Sequence, residues 1–394
     1  MEVNSVLMGL LGRALFDADY AFAAQEADWE AIFREARAQT VDLLAFDALT
    51  EQERAALPSE TAAAWQAAAF RRLQYNEGLH HEQMQILNRL SDAGIPCVVL
   101  KGFSCGIHYP KPMLRCAGDI DLLVSEQGMH AAKGVLEAYG YEASDEPHPF
   151  HIHLHKGWIS VELHYEPAGI PQGDAGALLR AFFQGKENMT ERKESVPLFP
   201  VCEQAVTLLL HKLEHILTGG LGLRQVCDWA MFVRMQLKPD AWEATAPVLK
   251  SFGLLHFAKN ITRICVNDLY LPVEAAPWCM EADSNVAEAL LQDILCAGNF
   301  GRKENRYGQR LFTDVRSGSR LSSFFRVGIQ ACKSHWPVCE RYPILIPFAP
   351  FVLLKRYRTK RKEGKRPEFQ PRERYKDAKV RQRLYVSLKP FEKE

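Results

Sequence analysis

Apolar residues recur every three or four positions through most of this chain, the spacing that gives an α-helix one buried face. Residues 3–92 follow this pattern, and Pro58 divides them into two parts. Ser59 is the expected N-cap of a long helix, because its hydroxyl can accept from a free N–H of the first turn. That helix is predicted to end near Asp92, with Gly94 as its terminating residue.

The helical spacing returns after residue 125 and again after residue 200, so the sequence predicts further helices there. Between residues 167 and 200, turn-forming and polar residues predominate, and we expect loops with one short helix. The predicted helices cover residues 126–139, 175–183, 201–217, 221–235, 239–252, 254–270 and 284–297.

Two short runs interrupt the helical pattern and are typical of buried strands. Residues 95–100 are continuously apolar, and Lys101-Gly102 ends that run. Residues 119–124 form the second run, which begins with alternating acidic and apolar residues. Because a strand turns successive side chains to opposite faces, Asp119 and Asp121 are predicted to share one face.

Residues 150–164 alternate between polar and apolar side chains on either side of Lys156-Gly157, which predicts a β-hairpin with those two residues as its turn. The expected pairs are His155 with Trp158, His153 with Ser160, and His151 with Glu162. Paired residues share a face. The polar side should therefore be the open side, where Asp119 and Asp121 also point, and Glu162 is the natural third carboxylate.

Carboxylates grouped in this way predict a bound cation. Two of them on one strand face repel each other and lose hydration unless a positive charge lies between them. Oxygen ligands at this spacing suit Mg²⁺, which typically binds through one or two carboxylates together with substrate phosphates.

The stretch VVLKGFSCGIHYPKPMLRCAGDIDLLV, residues 98–124, carries motifs that resemble a known family. A Gly-x-Ser turn at Gly102 and Ser104, followed by Asp-hydrophobic-Asp at Asp119 and Asp121, is similar to the signature of the DNA polymerase β-like nucleotidyltransferases. The sequence around these motifs resembles that of a poorly characterised bacterial group called the nucleotidyltransferase family proteins. The resemblance covers about residues 95–165 and continues more loosely to about residue 235.

This resemblance implies an α/β (α+β) fold with a small mixed sheet of the polymerase β-like type, flanked by N-terminal helices and a helical C-terminal domain. It implies transfer of a nucleoside monophosphate from a nucleoside triphosphate, with ATP expected, to an acceptor, with release of pyrophosphate and two Mg²⁺ ions. The residues assigned to this chemistry are Asp119, Asp121 and Glu162 for catalysis and metal binding, Lys101, Gly102, Ser104 and Arg115 for the nucleotide, and His151, His164, Arg224 and Asp228 for an acceptor pocket.

Several alternatives stay open at the level of sequence. The hairpin histidines can be solvated or line a substrate, support Glu162, or hold a transition metal. Phe103, where a small residue is commoner, and Glu162, where related sequences more often have Asp, leave room for an inactive nucleotide- or partner-binding module. A third hypothesis is a tRNA-modifying enzyme.

Arg224 and Asp228 are spaced i and i+4 on a predicted helix, which predicts an ion pair between them. This pair faces either the nucleotide or another domain.

Composition limits the function classes. The chain has 48 Lys and Arg residues and 48 Asp and Glu residues, so its overall charge does not indicate nucleic-acid binding. The ten cysteines form no CxxC pair and suit reduced thiols, from which we expect a cytoplasmic protein. Cys332, His335 and Cys339 lack a fourth ligand for a zinc site. We expect neither a signal peptide nor a membrane span, since no apolar run reaches about 18 residues.

The sequence predicts four parts: an N-terminal helical region (1–94), a catalytic core (95–200), a helical domain (201–317) and a basic and apolar extension (318–394). In the extension, an apolar stretch at 342–354 precedes a basic run at 355–366. This segment either packs on the helical domain, which we expect, or contacts a membrane surface or RNA. The sequence predicts neither the acceptor nor the oligomeric state.

Overall fold

The structure is a computed structural model of the full chain, and it describes residues 2–144, 150–171, 173–193, 195–301, 303, 338, 342–348, 351, 358 and 381–392. The chain begins with a series of helices, as the apolar spacing predicts. These are α1 (Val3–Phe16), α2 (Trp29–Ala38), α3 (Asp42–Asp47), α4 (Glu51–Ala56) and α5 (Ser59–Asp92).

The long helix α5 matches the prediction at its C-terminal end and differs by one residue at its start. It ends at Asp92, and Gly94 follows in the left-handed region with a φ of +67°. At the start, Pro58 is the cap residue and Ser59 is already helical, without a side-chain cap hydrogen bond. The proposed capping role of Ser59 is therefore wrong, because the serine lies inside the first turn.

The helices expected after residue 125 are all present, with ends that differ by a few residues at most. Helix α7 begins later than predicted because residues 126–128 form a turn, in which the Ser125 hydroxyl accepts from the backbone N–H of Gly128 at 2.9 Å. A short helix, α6 (Phe103–Gly106), precedes residue 125. The helices after residue 125 are α7 (Met129–Ala138), α8 (Asp174–Phe183), α9 (Val201–Thr218), α10 (Leu223–Met235), α11 (Pro239–Ser251), α12 (Leu255–Asp268) and α13 (Ser284–Ala297).

Among the described residues, five strands form one mixed sheet in the order β1–β2–β5–β4–β3. Its strands are β1 (Val98–Val99), β2 (Ile120–Leu123), β3 (Glu142–Ala143), β4 (His151–Lys156) and β5 (Ile159–His164). Strands β2 and β5 run parallel, and the other neighbours are antiparallel. The parallel pair places Asp121 directly opposite Glu162. A separate ribbon of β6 (Glu191–Lys193) and β7 (Val196–Leu198) lies in the region expected to be loops and one short helix.

The β4–β5 hairpin is present, but its turn and register differ from the prediction. Lys156 pairs with Ile159, so Gly157 and Trp158 form the two-residue loop. His151 consequently lies opposite His164, and His153 lies opposite Glu162. Gly157 has a φ of +58°, which suits the first central position of a type II′ turn. The shift keeps every side chain on its predicted face, because both registers pair residues of the same parity.

The apolar face of the sheet packs against helices α5 and α7. Ile120, Leu122 and Leu163 lie in a hydrophobic cluster with α5 and α7 residues such as Ile86 and Leu136. Burial of this face leaves the opposite side of β2, β4 and β5 for the polar residues. The fold therefore presents the carboxylates and histidines away from this core.

A second, larger core joins the N-terminal helices to the helices after residue 200. Leu7 and Leu10 of α1 belong to the same cluster of buried residues as Trp229, Phe257 and Leu290. The chain's last described segment, residues 381–392, also belongs to this core through the buried side chains of Leu384, Tyr385 and Leu388. The described N-terminal helices α1, α2 and α3 and the helices α9 to α13 thus contribute to one hydrophobic core.

Most of the extension lies outside the described residues, including the basic run at 355–366 apart from Arg358, and the Cys332, His335 and Cys339 group. The apolar stretch is partly described, and Ile344 is 81% exposed there. The expected burial of this stretch is therefore wrong at Ile344. Among the helices that the structure describes, none combines the length and apolar character required to cross a membrane.

Candidate active site

Three carboxylates meet on the sheet face opposite the α5–α7 core, where β2 and β5 lie side by side. The prediction that this face is open is wrong at β2, because Asp121 and Leu123 are buried there. Asp121 is fully buried within β2, Glu162 lies opposite it on β5, and Asp119 precedes β2 by one residue. One oxygen from each carboxylate lies within 4.8 Å of the others. The structure thus brings together the three residues that the alternation of the two strands predicts for one face.

The ammonium group of Lys101 lies against the aspartate pair. Its Nζ is 3.0 Å from Oδ1 of Asp121 and 3.9 Å from Oδ2 of Asp119. Burial lowers the pKa of Lys101, but the charges of Asp121, Asp119 and Glu162 outweigh burial and raise it. Lys101 therefore supplies positive charge to the acidic cluster, a contact that the sequence did not indicate. Its role at the nucleotide stays a prediction.

His164 connects two of the carboxylates. Its Nε2 lies 3.2 Å from Oδ1 of Asp121 and 3.1 Å from Oε2 of Glu162. Burial lowers the pKa of His164, but these two hydrogen bonds raise it overall. Burial raises the pKa of Glu162, yet the hydrogen bond from His164 and the charge of Lys101 lower it to about 2. Glu162 therefore carries a negative charge at neutral pH.

The turn before α6 requires glycine. Gly102 has a φ of +74°, and a side chain there would meet the backbone carbonyl of Asp119 at 3.4 Å. The next side chain, Phe103, is buried in the sheet core with its ring 4.6 Å from that of His80. The bulky Phe103 side chain is thus directed into the core. Ser104 is also fully buried, and its role at a phosphate stays a prediction.

A cleft opens beside Asp119, between the Gly102 turn and helices α9 and α10. Cationic side chains outnumber carboxylates among the described residues that line it, so the cleft suits an anionic group. The charged residues of its lining are Lys101, Arg115, Lys212, Arg224, Asp119 and Asp228.

Lys212 of helix α9 is a further residue of the cleft that was not predicted, although a lysine among the apolar residues of a predicted helix indicates a candidate functional residue. It is 1% exposed, its Nζ donates to the backbone carbonyl of Leu208 at 3.3 Å, and burial lowers its pKa. On the same helix, His211 lies 2.9 Å from His215 between their Nε2 atoms, and burial lowers the pKa of His211 well below its ordinary value. Helix α9 therefore contributes buried amine and imidazole groups to the cleft region.

Arg115 crosses from the loop before β2 to helix α10. Its Nε and Nη2 donate to the two oxygens of Asp228 at 2.8 and 2.7 Å, and the Tyr109 hydroxyl donates to the same carboxylate at 2.7 Å. Burial raises the pKa of Asp228, but the charge of Arg115 lowers it overall. This pair replaces the predicted Arg224–Asp228 ion pair, because Arg224 instead donates to the carbonyl of Cys116 at 3.0 Å. Arg115 and Arg224 both still line the cleft.

The acidic cluster has the chemistry of a divalent-cation site. Its ligands are carboxylate oxygens, which suit Mg²⁺ and Mn²⁺. Oδ2 of Asp121 is buried and has no hydrogen-bond partner among the described residues, so it leaves an acceptor for a cation. The residues present therefore fit a metal ion held by Asp119, Asp121 and Glu162.

Comparison with known proteins agrees with this geometry. The model of the family described as uncharacterised nucleotidyltransferase matches residues 25–268, which is more than half of the chain and extends from before α2 to the end of α12. Neither the curated proteins nor the solved structures compared with the chain gave a match. The fold, the Asp-x-Asp strand and this match together show that the chain belongs to the uncharacterised nucleotidyltransferase family.

Proposed function

We propose that this protein transfers a nucleoside monophosphate from a nucleoside triphosphate, with ATP expected, to an acceptor hydroxyl. The acceptor oxygen would form a bond to the α-phosphorus while the bond to the bridging oxygen breaks, and pyrophosphate would leave with that electron pair. The observation that carries this proposal is the convergence of Asp119, Asp121 and Glu162 beside a cationic cleft. The proposal is also supported by the family to which the chain belongs, which is described as a nucleotidyltransferase family.

Asp119, Asp121 and Glu162 would hold two Mg²⁺ ions, which when bound neutralise phosphate charge and stabilise the entering and leaving oxygens. Glu162 is ionised at neutral pH, and its lowered pKa suits a metal ligand better than a general base; the proton of the acceptor would pass to this carboxylate or to water.

The cleft residues would bind the rest of the nucleotide. Gly102 allows backbone N–H groups to approach the phosphates, with Ser104 as a further donor. Lys101 and Arg115 would balance phosphate charge, although Arg115 already shares its charge with Asp228. The acceptor would bind in a pocket formed by His151, His164, Arg224 and Asp228.

A second candidate is a nucleotide- or partner-binding module without transfer activity. The contact of Lys101 with Asp121 at 3.0 Å favours it, because a protein cation already balances charge where a metal ion would bind. The two candidates differ in whether labelled nucleotide becomes covalently attached to an acceptor.

The test is incubation of the full-length protein with each α-labelled triphosphate, Mg²⁺ and cell extract, followed by detection of label on an acceptor. Asp121→Asn should lower transfer by at least about 100-fold, since metal stabilisation of the transition state is worth several kcal/mol. Asp47→Asn is the matched control, because Asp47 also bonds a lysine, Lys111, at 2.7 Å. Equal transfer by wild type and Asp121→Asn would refute the metal-binding role, and nucleotide binding without any transfer would favour the second candidate.

The cellular location of the protein and its contacts with a membrane or RNA are also proposals. Free, buried thiols such as Cys227 and Cys265 support a reducing cytoplasmic location. Contact of the 342–366 segment with a membrane surface or RNA is supported by exposed Ile344 and by the basic composition beyond it.

A further inference from the structure

Two histidines and one carboxylate meet next to the acidic cluster. His151 lies opposite His164 across the β4–β5 pair, and their rings are 4.8 Å apart between centroids. Nε2 of His164 is 3.1 Å from Oε2 of Glu162, and Nε2 of His151 is 4.0 Å from Oε1 of the same carboxylate. One ligand atom from each of the three residues lies within 4.8 Å of the others.

These distances are close to those of a shared metal ion. Zinc binds imidazole nitrogen and carboxylate oxygen at about 2.0–2.2 Å, so two ligand atoms of one tetrahedral ion lie about 3.3 Å apart. Oε2 of Glu162 and Nε2 of His164 already have this separation, and His151 needs only a small shift to reach it.

The chemistry of the three ligands separates this group from the carboxylate cluster. Two imidazoles with one carboxylate suit zinc, whereas Mg²⁺ prefers oxygen ligands alone. The side chain of His164 is 1% exposed, while those of His151 and Glu162 are 12% and 23% exposed. The group therefore combines one buried ligand with two that are partly exposed.

We propose that His151, Glu162 and His164 form a zinc site that is distinct from a magnesium site at Asp119 and Asp121. The zinc site shares Glu162 with the proposed catalytic cluster, but its existence does not require the transfer reaction. Zinc binding at both imidazoles requires their Nε2 atoms to be unprotonated, so His164 would exchange its hydrogen bonds to Asp121 and Glu162 for the metal.

The other two histidines of strand β4 serve as internal controls. Nε2 of His153 lies 2.8 Å from the Ser160 hydroxyl, and the His155 ring faces Glu142 at 3.5 Å. His153 occupies the same strand and face as His151 and lies opposite Glu162 in register. It nevertheless contacts a different group, so His153→Ala is the matched control for His151→Ala.

The experiment titrates the full-length metal-free protein with Co²⁺, whose visible absorption reports coordination geometry and ligand type in zinc sites. We expect one intense tetrahedral or five-coordinate spectrum per chain, displaced by Zn²⁺ and unaffected by excess Mg²⁺. His151→Ala and His164→Gln should weaken binding at least tenfold, since even loss of a group that only orients a ligand costs about 10–100-fold. His153→Ala should bind as wild type does.

Circular dichroism identifies any variant that fails to fold, and His151→Ala, at a partly exposed strand position, keeps the test valid if His164→Gln does not fold. A weak octahedral spectrum, displacement by Mg²⁺, or equal binding by wild type and His151→Ala would overturn the proposal. Label transfer is scored separately with Mg²⁺ alone. An intact Co²⁺ spectrum without transfer would therefore reject the reaction and retain the zinc site, and transfer without the spectrum would do the reverse.

Discussion

Asp228→Asn tests the buried ion pair that ties the loop before β2 to helix α10. The substitution keeps the shape of the side chain but removes the charge that faces Arg115. The guanidinium of Arg115 is 6% exposed on its side chain and would stay buried without a counter-charge. Two hydrogen bonds from Arg115 and one from Tyr109 end on this carboxylate, so its loss affects every partner at once.

The expected cost follows from burial. Removing one partner of a buried ion pair destabilises a protein by about 3–5 kcal/mol, because an uncompensated charge remains inside. The Lys111–Asp47 pair is the matched comparison, with a similar distance of 2.7 Å but a lysine side chain that is 66% exposed. Lys111→Ala should cost at most about 1 kcal/mol, because solvent screens surface pairs.

Urea unfolding of wild type, Asp228→Asn, Lys111→Ala, Arg115→Met and the double variant Arg115→Met with Asp228→Asn measures these costs. The double variant should lose less stability than the two single changes at Arg115 and Asp228 added together, since no unpaired charge remains. A cost below about 1 kcal/mol for Asp228→Asn, in the range of surface pairs, or purely additive single changes would refute the reasoning.

The same ion pair predicts that the free energy of unfolding falls at acidic pH. The pKa of Asp228 is lower in the folded protein than in the unfolded chain, where an aspartate has a pKa of about 3.9. Its stabilising contribution is therefore fully present above about pH 4 and is lost as pH falls through the lower folded pKa. The difference in unfolding free energy between wild type and Asp228→Asn should shrink below pH 4. A difference that stays constant from neutral pH into that range would contradict the assignment.

Three further predictions concern the supports of the site. Glu82→Gln should cost about 1.5 kcal/mol in urea unfolding, because Glu82 accepts from Lys156 at 2.9 Å and from Tyr141 at 3.0 Å; an unchanged midpoint would contradict this. Gly102→Ala should cost about 1–3 kcal/mol, since its φ of +74° strains any other residue, and it should also weaken triphosphate binding measured by calorimetry. Truncation before residue 381 should lower stability by roughly 5 kcal/mol by removing three buried apolar side chains, and an unchanged melting temperature would show that this segment is not part of the core.

The helices and the carboxylate faces were predictable because they depend on local periodicity. Helix α13 has the predicted ends, and the alternation of residues 119–121 correctly predicts which side chains share a face. The hairpin register was wrong by two residues because Lys156-Gly157 was taken as the loop. Gly157 adopts a positive φ as the first loop residue instead, which the Gly-X rule for type II′ turns would have indicated.

The contacts that join distant segments were not predictable from one sequence. Arg115 and Asp228 are 113 positions apart, and the i,i+4 pattern on α10 favoured Arg224 as the partner instead. The β6–β7 ribbon was missed because its strands are only three residues long and one of them is fully charged. Such elements form only when tertiary contacts add to weak local preferences.

Lys101 connects the two halves of the candidate site, because it contacts the aspartates and also lines the cleft. Three carboxylates in the cluster face one lysine and one histidine. A divalent cation entering the cluster would take over the role of Lys101 as the nearest positive charge. The ammonium group of Lys101 would then be available to bind a phosphate group in the cleft. It would balance the negative charge that the triphosphate brings there. Under the proposed function, metal and triphosphate therefore favour each other's binding, since each removes the electrostatic cost that the other creates.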